Sequence, residues 1–152
     1  MSSRKCLSIL VLANLLAAFS PAAATAQEWR ADGARAGFAV SGRLAGLVFE
    51  CAPGGALRTV VAGNGARFPE ERDMTLVLSV DGVARLSSVR AEPDPSGGSR
   101  FVRLDPKAEI EPLLAALRRG RVLEVSSPAG TTTLPLKGSE RALTQLLARC
   151  AG

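Results

Sequence analysis

Two cysteines constrain this fold more than anything else in the chain. Cys51 ends the apolar run Leu47-Val-Phe-Glu-Cys51, and Cys150 lies in the last turn of the terminal stretch Gly138–Cys150. That stretch has helical periodicity. Ala142, Leu143, Leu146, Leu147 and Cys150 form one stripe, while Arg141, Gln145 and Arg149 face away. Alternation places Leu47, Phe49 and Cys51 on one face of a strand. A Cys51–Cys150 bond would close a loop of about 100 residues, worth roughly 4–5 kcal/mol in the chain-entropy account. It would pin the closing helix to the sheet. Free thiols or an intermolecular bridge are the alternatives.

The compartment decides between them, and the N-terminus bears on the compartment. Met1–Lys5 carries Arg4 and Lys5, and Cys6–Phe19 is apolar except for Ser8 and Asn14. Ser20-Pro21 ends that run, and Ala24-Thr25-Ala26 fits a small-residue cleavage site. Residues 1–26 therefore read as a signal peptide, and residues 27–152 as a single β-rich globular domain. The apolar run falls short of the roughly 20 residues a membrane anchor needs. Cys6 opens the run instead of following a cleavage motif, which argues against a lipid-anchored cysteine. The expected localisation is periplasmic or secreted, and an oxidising compartment favours the disulfide.

Composition excludes more than it suggests. The chain has no histidine and no tyrosine, which removes Ser-His-Asp and Cys-His nucleophiles, ordinary zinc sites and phenolic acid roles. Neither the phosphate-loop nor the dinucleotide glycine pattern is present. No cofactor and no metal site is expected. Without residues 1–26 the basic groups fall from 19 to 17 against 14 acidic ones, a net charge of +3. Basic residues are scattered and aromatics scarce, so a nucleic-acid platform is not indicated. Among carboxylates Glu50, beside Cys51, is the best candidate for hydrolytic work. A Ser–Lys dyad of Lys137 with Ser139 lacks its motif.

Along the chain, Gln27–Arg30, Arg35–Gly42 and Arg43–Cys51 read as strands, with Trp29 in the core. Pro53-Gly54-Gly55 turns into Leu57–Ala62. Met74–Val80 alternates cleanly, and Asp81-Gly82 is a hairpin signal leading into Val83–Ala91. Glu92–Gly98 reads as an exposed loop, and Phe101–Leu104 as a short strand. A helix is expected over Pro112–Arg119, strands over Arg121–Ser126 and Thr131–Leu136, and a closing helix capped by Ser139. The fold class is α+β: a mainly antiparallel sheet or sandwich-like body with two short helices, the C-terminal one closing the core.

The cysteine-ended strand L-V-F-E-C and the ending Leu136-Lys-Gly-Ser-Glu-Arg-Ala-Leu143, closed by Cys150, carry a resemblance. The layout resembles type VI secretion accessory proteins of the VasI type, and the ending is similar to that of invasion-associated locus B proteins. Both resemblances imply a small exported bacterial protein with no defined catalytic residues. Ser41-Gly42 is similar to the start of the first loop motif of periplasmic lysozyme inhibitors, whose second motif is missing. The expected function is non-enzymatic: a periplasmic or secreted accessory domain acting through contacts with another envelope or secreted protein. The alternative is an inhibitor of a cell-envelope hydrolase, or a carboxylate-based envelope enzyme.

Overall fold

A computed structural model describes residues 27–150; the expected signal peptide and its cleavage site lie outside the described residues. Nine strands form one antiparallel sheet. In chain order they are β1 (Gln27–Asp32), β2 (Arg35–Val40), β3 (Arg43–Cys51), β4 (Leu57–Val61), β5 (Met74–Val80), β6 (Val83–Pro93), β7 (Ser99–Asp105), β8 (Val122–Ser127) and β9 (Gly130–Pro135). Their order in space is β1-β2-β3-β4-β7-β6-β5-β8-β9. Helix α1 (Lys107–Arg119) connects β7 to β8, and α2 (Ser139–Arg149) ends the fold. No described helix is long and apolar enough to cross a membrane.

Short turns make most of these pairings local. Ser41-Gly42 and Asp81-Gly82 both have positive φ at each position, the geometry whose twist matches a two-residue hairpin. Turn chemistry thus accounts for Ser41-Gly42, which joins β2 to β3. The two ends of the sheet then curl toward each other. The Trp29 backbone N–H donates to the Lys137 carbonyl at 2.9 Å, and its indole Nε1–H donates to the Pro135 carbonyl at 3.0 Å. This seam makes the body a near-barrel built from a single sheet, not a two-sheet sandwich.

Inward-facing side chains of the sheet meet the two helices in one core. Leu47, Phe49 and Leu57 from one half, and Leu76, Leu78 and Leu123 from the other, are essentially inaccessible. Helix α1 contributes Ile110, Leu113, Leu114 and Leu117, and α2 contributes Ala142, Leu143 and Leu146. The i, i+3, i+4, i+7 spacing on α1 is the stripe a one-sided helix needs.

Three local expectations are corrected. Helix α1 begins at Lys107, five residues before the expected start, and holds Pro112 inside it. Burial of Ile110 outweighs the hydrogen bond that Pro112 cannot donate. Gly138, at φ 85°, occupies the cap of α2, and Ser139 is the first helical residue. Its hydroxyl instead donates to the Leu117 carbonyl at 2.7 Å, one of the α1 C-terminal carbonyls with no partner inside that helix. Strand β6 continues to Pro93, which shortens the expected loop to a tight turn. There the Asp94 N–H donates to the Gly98 carbonyl at 3.1 Å. The Ser96 hydroxyl and N–H both donate to the Asp94 carboxylate and hold its pKa below the ordinary value.

Candidate functional site

Cys51 and Cys150 are joined by a disulfide, with Cα atoms 5.3 Å apart, inside the usual range for such a bridge. Cys51 lies on the inward side of β3, one position beyond Glu50, and Cys150 directly follows α2. The bridge fixes the position of α2 over β1, β2 and β3.

Glu50 projects to the opposite, outer side of the sheet. Arg58, its cross-strand partner, donates to the Glu50 carboxylate at 3.3 Å. The same guanidinium also pairs with Glu92, and Arg100 reaches Glu92 at 3.4 Å. The chain of charges therefore runs Glu50–Arg58–Glu92–Arg100 across β3, β4, β6 and β7. Lys137 and Ser139 are not brought together as a dyad: the Ser139 hydroxyl is buried against Leu117 and Lys137 is exposed. No cluster of metal-ligating side chains occurs among the described residues.

This charge ladder lies on the outer face of β4, β7 and β6. A shallow depression of about 600 Å³ lies there, lined by Arg58, Ser88, Arg90, Glu92, Val102 and Leu104 among others. On this face Leu104 is 61% exposed and Leu86, on the neighbouring strand, 73%, while Val83 is 69% exposed on the opposite side of β6. With Val122 on β8, 44% exposed, these are the large apolar side chains left in water among the described residues, and Leu86 and Leu104 are the pair on this face. Charged groups rim them. Arg90 donates to Asp73 at 2.8 Å, and Arg103 to Asp105 at 2.6 Å. Each carboxylate raises the pKa of its arginine, so both guanidinium groups stay charged. An apolar patch inside a charged rim is the anatomy of a contact surface.

The sequence reading missed this surface. Leu86 belongs to a strand whose partner strand, β5, alternates in the ordinary way. Its exposure arises because β7 leaves β6 after Arg90. Pairing between the two begins at Arg90–Val102 and runs only to Pro93–Ser99. Residues 83–88 of β6 pair with β5 on one side and, among the described residues, with no strand on the other.

Neither a family model nor a curated protein matches the chain. Among solved structures, the chain is similar to invasion associated protein B from Bartonella henselae. The TM-score is 0.45 and the identity 18%, over 73% of this chain and 79% of that one. That name corresponds to one of the two families that the chain's layout and ending resemble.

Proposed function

We propose that this is an extracytoplasmic accessory domain that works by contact with another protein, and that the contact is made by the outer face of β6 and β7. One observation supports this most directly: Leu86 and Leu104 stand exposed together on the outer face where the sheet splits, inside a rim of paired charges. Monomeric domains seldom leave such side chains grouped in water without use. Glu50 fits a supporting role, since its carboxylate is neutralised by Arg58 in a charge ladder that stiffens the same face.

The test is site-specific photo-crosslinking in the source cells, with the reactive amino acid at position 104 and, as control, at exposed position 124 on β8. Adducts are expected at 104, absent at 124, and weakened by Leu86→Asp. Equal labelling at both positions, or none at 104, would remove this surface as the site of contact.

A further inference from the structure

The hydrogen-bonding parity of β6 makes the exposed patch more specific than an apolar surface. Val80 and Val83 flank the two-residue turn and pair directly, so they exchange both backbone hydrogen bonds. Alternate residues follow suit: Val83, Arg85 and Ser87 direct their N–H and C=O groups toward β5. Ala84, Leu86 and Ser88 therefore direct theirs away from it. Two observations agree. Arg90, next in that series, pairs with β7, and the Ser88 carbonyl accepts a hydrogen bond from Arg103 Nη1 at 3.3 Å. The N–H and C=O groups of Ala84 and Leu86 thus form an open strand edge, exposed on both faces.

An edge of this kind accepts one shape of partner, an extended backbone. The side chains then specify its chemistry. On the inward face, Arg85 and Arg119 line a recess of about 310 Å³ with Val83 and Ala116. Among the described residues neither arginine forms an ion pair. The one carboxylate of that recess, Asp81, accepts the backbone N–H groups of Arg121 and Val122. On the outward face, Leu86 and Leu104 offer apolar contact.

Building on the contact surface above, we infer that β6 residues Ala84–Ser88 are a strand-addition site for an extended segment of a partner protein that alternates acidic and apolar side chains. Its carboxylates would face Arg85 and Arg119, and its apolar side chains would lie on Leu86 and Leu104. A second copy of the chain fits less well. Symmetric pairing about Leu86 sets the two Arg85 residues on one face at diagonal positions, about 7–8 Å apart, with like charge.

The experiment is an amide NMR titration of the oxidised protein with the peptide Thr-Val-Glu-Val-Glu-Val-Thr, and with its Thr-Val-Lys-Val-Lys-Val-Thr counterpart. The Glu peptide should shift the Ala84, Leu86 and Ser88 amides and slow their hydrogen exchange, and the Lys peptide should not. Leu86→Pro removes an outward N–H while leaving the β5 bonds intact, and should abolish the shifts with little change in melting. Arg85→Glu should weaken the Glu peptide by about tenfold, as reversal of a close charge pair does, and let the Lys peptide bind. If Arg85 only guards the edge against pairing, Arg85→Glu will leave the preference unchanged, and the inference fails. Protection of these amides that grows with protein concentration, without peptide, would assign the edge to self-association instead. Crosslinking at position 104 that survives Leu86→Pro, with edge amides blind to both peptides, would remove strand addition and spare the contact surface. Loss of both would remove both.

Discussion

At the scale of single residues, Ser139 shows how a correct assignment of residue type can miss its role. Serine after a glycine, with Glu140 following, has the composition of a helix start, and the helix does start there. The left-handed Gly138 takes the cap because a side chain at that position would meet the Trp29 carbonyl at 2.9 Å. Ser139 is left free to bond across to α1, a tertiary contact over 22 positions that no local pattern contains. Ser139→Ala should lower stability by about 1–2 kcal/mol, since it orphans a buried carbonyl. A urea midpoint within error of wild type would show that the bond contributes nothing. Gly63 is another such position. A side chain there would sit 1.9 Å from the Ser99 carbonyl, an approach that only the folded chain creates.

At the scale of elements, what was legible depended on range. The Ser41-Gly42 turn between β2 and β3 lies inside what reads as a strand, whereas the β3–β4 and β5–β6 hairpins follow from alternation and turn residues a few positions apart. The α1 boundary did not, because Pro112 signals a helix start while the burial of Ile110 one turn earlier is decided by the sheet it packs on. The split of β6, with half of it paired to β7 and half open, has no signature in Val83–Pro93 itself. It depends on where β7 turns toward β4, so the candidate surface was invisible before the fold was known. The seam between the sheet ends is similar: core burial of Trp29 follows from its type, but its two hydrogen bonds, to the last residue of β9 and to Lys137 just after it, do not. Trp29→Phe keeps most of the buried ring and loses only the indole donor. We expect a loss of about 1–2 kcal/mol, read from the denaturant midpoint, with faster amide exchange along β1 and unchanged exchange in β5. Uniform exchange across the sheet would mean that the seam is not a separate unit.

At the scale of the whole molecule, the pairing of Cys51 with Cys150 was legible because only two cysteines lie outside the N-terminal apolar run. The curvature that turns one sheet into a near-barrel was not, since a sandwich and a curled sheet share the same alternation. Reduction, or the Cys51→Ser, Cys150→Ser double variant, should lower stability by up to roughly 4–5 kcal/mol. Intact mass with and without reductant and alkylation checks the bond in protein taken from an extracytoplasmic fraction. Free thiols there, or equal melting of the variant, would mean that the bridge does not hold the fold.

The bridge also changes what the chain is under tension. Ninety-nine positions of backbone separate its two sulfur-bearing residues, and that whole length is bypassed while the bond is closed. Pulled from Gln27 and Cys150, the oxidised molecule can extend only along the chain before Cys51, about 80 Å at full stretch, against about 420 Å once reduced. Most of the sheet lies inside a covalent ring and cannot be drawn out as a single thread. A channel that passes one extended chain would accept this protein before its disulfide forms and reject it afterwards.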